Sequence, residues 1–167
     1  MNENKQMNIS LKKQDGAMEY LYIYSAMNVA CYVINYCNKK GYLIPNLKLN
    51  TYLCFIQFEF NKFNRICFME PVIKYGNLFI VKEIYDNFKG QNTTIPPQSE
   101  YDWFDEDTWR LHHHIISEED IDKKDKLLIE NIIEELEKYW WIDLVKILKH
   151  REEEGDIVIY KNDEANE

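Results

Sequence analysis

The side chains with the most evident chemical potential stand close together in the second half of the chain. His112-His113-His114 is a run of imidazoles that follows shortly after Asp102, Asp105 and Asp107. Imidazole and carboxylate together can hold a metal ion or move protons near neutral pH. Adjacent residues of a helix or strand point in different directions, so at most two of the three histidines can share a site. His112 and His114 are therefore the candidate metal ligands. Zinc takes three or four convergent ligands, and nothing else in the sequence fixes such a set. The expectation is histidines at a loop-to-helix junction, with no resident metal or cofactor. His150, between Lys149 and Arg151, suits the negative end of a helix dipole. No Ser or Cys is placed to act with it as a nucleophile. The chain also lacks Gly-x-Gly-x-x-Gly, a phosphate-loop lysine, Gly-x-Ser-x-Gly and His-Glu-x-x-His, each of which would set a phosphate, nucleophile or metal on a defined turn. The expectation is a protein that is not an enzyme.

A different chemistry is offered by Glu100 to Trp109, where acids alternate with Tyr101, Trp103, Phe104 and Trp109. Such rings bury large areas, so they can cover a core. Tyrosine and tryptophan also dominate binding hot spots, and acids on a rim select a basic partner. Both roles can coexist. The candidate partner-binding residues are Tyr101, Asp102, Trp103, Phe104, Asp105, Asp107 and Trp109. The adjacent pair Trp140-Trp141 cannot turn both rings to one core; one is expected inward, the other in a groove, on a partner or in a second structural contact.

Elements must hold these residues in place. Residues 1–15 are polar and aperiodic and read as a flexible N-terminal arm. Met18, Tyr22, Ala26, Val29, Val33 and Tyr36 recur at helical steps. Lys39-Lys40-Gly41 and then Pro45 stop that helix. Asn46 is the expected N-cap of a second helix carrying Leu49, Leu53, Ile56 and Phe60. Arg65 to Tyr75 reads as short extended pieces around Pro71, and Phe79 to Phe88 as a short third helix. Residues 91–113 form a long irregular stretch. Ser117-Glu118-Glu119-Asp120 resembles a capping box before a helix with Leu128, Ile132, Ile133 and Leu136 inward. Trp141 to His150 gives one more helix, and Asp156 to Tyr160 a terminal strand before an acidic tail. The predicted fold is mainly α: a compact bundle of about five helices with one or two short β segments. The helical domain spans 16–155, with a strand or tail over 156–167.

Composition bounds the partner. The net charge is −9, which disfavours direct nucleic-acid binding, since a phosphate surface needs clustered Lys and Arg. An acidic surface instead steers encounter with a basic protein. Cys31, Cys37, Cys54 and Cys67 show no Cys-x-x-Cys spacing, and three of them lie in helical patterns as small hydrophobes. The polar start carries no signal-peptide pattern, and no apolar run is long enough to span a bilayer. The expected home is the reducing cytoplasm, with no membrane association.

Several segments are similar to a known family. Ala26 to Ile34 resembles the opening helix of the Panacea domain, the SocA-like, phage-associated family. Asn46-Leu47-Lys48-Leu49 through Gln57 resembles its N-L-K-L helix, Glu70-Pro71-Val72-Ile73 its E-P-I segment, and Tyr85-Asp86-Asn87-Phe88-Lys89-Gly90 its Y-x-x-F-K-G. Trp141 to His150 resembles the family's close. The chain departs from the pattern at Gly76 to Ile80 and beside His150. The resemblance covers roughly 20–150 and implies a mainly helical antitoxin, or an adaptor that delivers a toxin to a protease, acting by direct protein contact. The alternative expectation is a phage-encoded inhibitor of host defence, anti-CRISPR-like, with an acidic surface set against a basic nucleic-acid-binding target. A metal-dependent enzyme using His112 and His114 is the third reading.

Overall fold

A computed structural model describes residues 7–12, 18–155 and 160–161, with side-chain surroundings over 22–155. The chain opens with two antiparallel strands, β1 (Met7–Lys12) and β2 (Met18–Ile23), with Met7 opposite Ile23. Part of the expected flexible arm is therefore a strand. The expected first helix starts later than its helical spacing suggested. Met18-Glu19-Tyr20-Leu21-Tyr22-Ile23 also satisfies a two-residue period in aromatic and branched residues, which favours extended chain. Helix α1 (Ala26–Lys40) begins only after Ser25, whose hydroxyl accepts the Asn28 N–H at 3.1 Å. It stops where the lysines and glycine predict, with Gly41 at φ 76 and the Tyr42 N–H donating to the Cys37 carbonyl.

Helix α2 (Asn46–Lys62) runs through the centre of the core and is buried nearly all round. Pro45, not Asn46, takes the N-cap position. The Asn46 amide instead donates to the Tyr85 carbonyl at 3.0 Å. Asn50, fully buried, donates to Asn46 Oδ1 and accepts the Val81 N–H at 2.9 Å. A buried amide chain of this kind must satisfy all its members, and here it ties α2 to the next two elements. These are a hairpin, β3 (Val72–Tyr75) and β4 (Leu78–Val81), turned at Gly76, and the short helix α3 (Lys82–Asn87). The helix expected over Phe79 to Phe88 is thus a strand for its first residues and a helix after them. Phe79, Ile80 and Val81 are consecutive buried apolar residues, a run that fits either period.

Residues 91–113, expected as irregular, divide in two. The first part is extended and pinned, with Asn35 and Gln98 exchanging hydrogen bonds of 2.9 and 2.7 Å. The second is a hairpin, β5 (Glu100–Asp105) and β6 (Arg110–Ile115). Helix α4 (Lys123–Leu136) is capped by Asp122 rather than by the earlier serine. Helix α5 (Trp141–Glu153) follows, and β7 (Tyr160–Lys161) pairs parallel with β3. Most of the expected terminal strand, 156–159, lies outside the described residues. The protein is mainly helical, as expected, with more strand than expected, in small sheets of two or three strands.

Hydroxyl-to-carboxylate bonds clamp the helices together. Glu134 of α4 accepts from Tyr36 at 2.7 Å and Tyr42 at 2.8 Å, and Glu137 accepts from Tyr52 at 2.7 Å and pairs with Lys48. At the other end of α4, Asp125 accepts from Tyr24 and from both terminal nitrogens of Arg65. The four cysteines are buried free thiols.

Candidate functional site

The β5–β6 hairpin carries every candidate from the acidic aromatic stretch, and its register decides where each one faces. Tyr101 opposes His114, Asp102 opposes His113, Trp103 opposes His112 and Phe104 opposes Leu111. Strand side chains alternate between faces, so Tyr101, Trp103, His112 and His114 share the inner face. Glu100, Asp102, Phe104, Leu111, His113 and Ile115 share the outer one.

The inner face anchors the hairpin. Tyr101 is buried and donates to Asn28 Oδ1 on α1 at 2.6 Å. Its hydroxyl is pushed up to about 12, chiefly by burial. His114 is buried and meets the Asp120 carboxylate at 2.8 Å, and Asp120 also accepts the Ser117 N–H. Trp103 stacks on His112 with ring centres 4.4 Å apart. The His112 Nε2 lies 3.8 Å from Asp105, too far for a hydrogen bond. The three adjacent histidines therefore face three different surroundings. Among the described residues no group of three or more His, Cys, Asp and Glu side chains is placed to hold a metal. His112 and His114 share a face but not a ligand set.

The outer face and the turn present a solvent-exposed apolar surface. Phe104 is 50% exposed, Leu111 70%, Ile115 62% and Trp109 81%. Phe104 and Trp109 meet edge to face at 5.7 Å. Trp109 sits at φ 55, in the left-handed region, where a bulky residue is an outlier; such outliers cluster at functional sites. The Asp107 N–H donates to Asp105 Oδ1 at 3.0 Å and helps shape the turn. Glu100, Asp102, Glu106 and Asp107 are exposed around this surface. His113 bridges Asp102 at 2.6 Å and Glu100 at 3.3 Å. The hydrogen bond to Asp102 raises its pKa above the ordinary imidazole value.

Of the sequence candidates, Asp102, Phe104, Asp107 and Trp109 lie at the exposed surface, whereas Tyr101 is buried and Trp103 and Asp105 are half-buried. Leu111, opposite Phe104, and Ile115, exposed on the same face beyond the Asp102–His113 pair, are not singled out by the sequence. Their exposure follows only from the strand register. Trp140 precedes α5 and is 65% exposed, and Trp141 is half-buried.

A second feature joins the candidates Tyr101, Asp102, Trp103 and Phe104 to two acids that the sequence does not single out. A cleft of about 540 Å³ opens between β5 and the start of α1. Glu70 and Glu83 both line it. Glu70 Oε2 accepts the Ala26 N–H at 3.1 Å, and burial raises the Glu70 pKa above the usual carboxylate range. Glu83, exposed at the cleft mouth, is raised as well, by desolvation first and then by the charge of Glu70. The signal that could have found them is slight: Glu70 precedes Pro71, and Glu83 falls in a first helical turn. Comparison of the chain with protein-family models, with curated proteins and with solved structures finds no match.

Proposed function

We propose that the chain is a protein-binding module that neutralises or delivers a partner by direct contact, in the manner of an antitoxin or a proteolytic adaptor, and that the outer face and turn of the β5–β6 hairpin are its recognition surface. One observation carries this reading. Phe104, Trp109 and Leu111 stand in solvent together towards the turn of a hairpin whose inner face is firmly anchored, with Ile115 exposed farther along the same face and acids around them. A rigid aromatic anchor with a charged rim is the composition of a binding hot spot. The family resemblance of the segments around Asn46 and Tyr85 supports the antitoxin or adaptor form.

The net charge of −9 and the acidic rim favour one further form, an inhibitor of a host defence protein with a basic nucleic-acid-binding surface. The test is capture of the partner from the native host, identification by mass spectrometry, and titration of the purified pair. Phe104→Ala combined with Trp109→Ala is expected to weaken that binding by about thirtyfold or more, a hot-spot loss of ~2 kcal/mol or greater. Unchanged affinity removes the hairpin from the interface. Competition by DNA or RNA, with affinity falling steeply as salt rises, selects the defence-inhibitor form. Among the described residues no helix is long and apolar enough to cross a membrane.

A further inference from the structure

The cleft beside β5 has three properties that together define an occupant. The first is a strand edge left open among the described residues. Ile116 N–H donates to the Ser99 carbonyl at 2.9 Å, which places 99 and 116 as a hydrogen-bonded pair in the register that continues through β5 and β6. Hydrogen-bonded and non-bonded pairs alternate in an antiparallel ladder. Tyr101 and Trp103 therefore bond across to β6, whereas Asp102 and Phe104 turn their backbone N–H and C=O groups the other way. Among the described residues β5 has β6 as its one sheet neighbour. Residues 101 to 104 line the cleft in succession, so the free edge runs along it. An open edge is a template for another strand.

The second property is charge. Glu70, Glu83 and Asp102 line the cleft, and among its described lining residues none is basic. Two basic groups stand beside it: Lys82, which borders the adjoining groove with Glu70 and Glu83, and His113, which is engaged with Asp102. The third is the wall. Tyr101, Trp103 and Met69 offer rings and a thioether, surfaces that accept the stem and head of a long cationic side chain.

Resting on the protein-binding reading above, we propose that the cleft seats an extended, basic segment of the partner. That segment adds to the free edge of β5 and directs a lysine or arginine side chain between Glu70 and Glu83. The hairpin's outer surface and the cleft then form one continuous interface that meets at Asp102 and Phe104.

The probes are blocked five-residue strand-forming peptides, acetyl-Thr-Val-Lys-Val-Thr-amide, its arginine version and its norleucine version, titrated into the ¹⁵N-labelled full chain. The lysine and arginine peptides are expected to shift the Asp102 and Phe104 amides and the Trp103 indole saturably. The norleucine peptide is expected to bind about tenfold more weakly, a difference of ~1.4 kcal/mol. Because Glu70 supports the start of α1, the variant is Glu83→Gln, which should weaken the lysine peptide by a similar factor and leave the fold intact by circular dichroism. No saturable shift, equal affinity for norleucine, or indifference to Glu83→Gln overturns the proposal. If Phe104→Ala with Trp109→Ala abolishes binding of the captured partner while the peptides leave the cleft unmoved, the cleft proposal falls and the hairpin reading stands. If the peptides bind in the cleft while the hairpin variants leave partner affinity unchanged, the hairpin reading falls and the cleft proposal stands.

Discussion

Removing the Asp125 carboxylate should be among the most damaging single changes in the chain. Asp125 is 4% exposed and Tyr24 is 2% exposed, and the Arg65 side chain is 14% exposed. The carboxylate accepts the Tyr24 hydroxyl and two Arg65 nitrogens, at 2.6 and 2.8 Å. In Asp125→Ala the guanidinium keeps only a long contact to the Tyr22 carbonyl at 3.4 Å and the face of Phe60 at 4.9 Å. Its Nε already lacks a partner among the described residues. Breaking a buried pair by deleting one member costs about 3–5 kcal/mol, because the other charge stays buried. For a chain of this size that corresponds to a melting point lower by roughly 6–20 °C. Urea denaturation at constant pH measures the loss, and thermal circular dichroism checks it. The triple change Tyr24→Phe, Arg65→Met, Asp125→Leu should recover most of the loss, since apolar side chains of similar volume replace a buried pair at little net cost. A loss below about 1 kcal/mol in Asp125→Ala, the range of an exposed ion pair, would contradict this account. It would mean that water reaches the cluster and that the clamp of Tyr24 and Arg65 on the start of α4 is open.

Other expectations follow from the same surroundings. The His113 imidazole should titrate above ~6.5 by NMR, and Asp102→Asn should bring it back down. Its folded pKa is raised, so its contribution to stability is present below the unfolded value and is lost as pH rises through the folded one. The Glu83 carboxyl should titrate above the ordinary range and fall in Glu70→Gln, read by carboxyl ¹³C shifts. Here a raised carboxylate pKa means that stability gains as pH falls through the folded value towards the unfolded one. Gly41→Ala should cost about 1–2 kcal/mol in a denaturant titration, because φ is 76 there and a Cβ disfavours that conformation. Burial pushes the Cys31 and Cys37 thiols up to about 12 and raises Cys54 and Cys67 as well. All four should stay inert to a thiol reagent until the chain unfolds; rapid labelling of the native protein would contradict that.

Legibility varied from element to element for identifiable reasons. The end of α1 was readable because Lys39-Lys40-Gly41 is a local signal, set by one left-handed residue and the helix dipole. The interiors of α2, α4 and α5 were readable from apolar spacing alone. In residues 18–23 the apolar side chains fit steps of two as well as four, and pairing with β1, a contact the local pattern does not contain, decides between them. The hairpin was hidden for a related reason. Its strands are rich in acids and histidines, which carry little intrinsic strand preference, and it is held by Tyr101 to Asn28 and His114 to Asp120.

Composition and local pattern were therefore enough for the mainly helical class, the helix that ends at Gly41, the burial of the cysteines in helical patterns, and a concentration of rings and acids in 100–109. Those properties depend on neighbours within a turn or two. Which rings face solvent depends instead on the register between β5 and β6, and no local pattern carries that register. The meeting of Glu70, Glu83 and the free edge of β5 at one cleft is likewise a product of the folded chain, because these come from three separate segments that converge through packing around α2 and the start of α1.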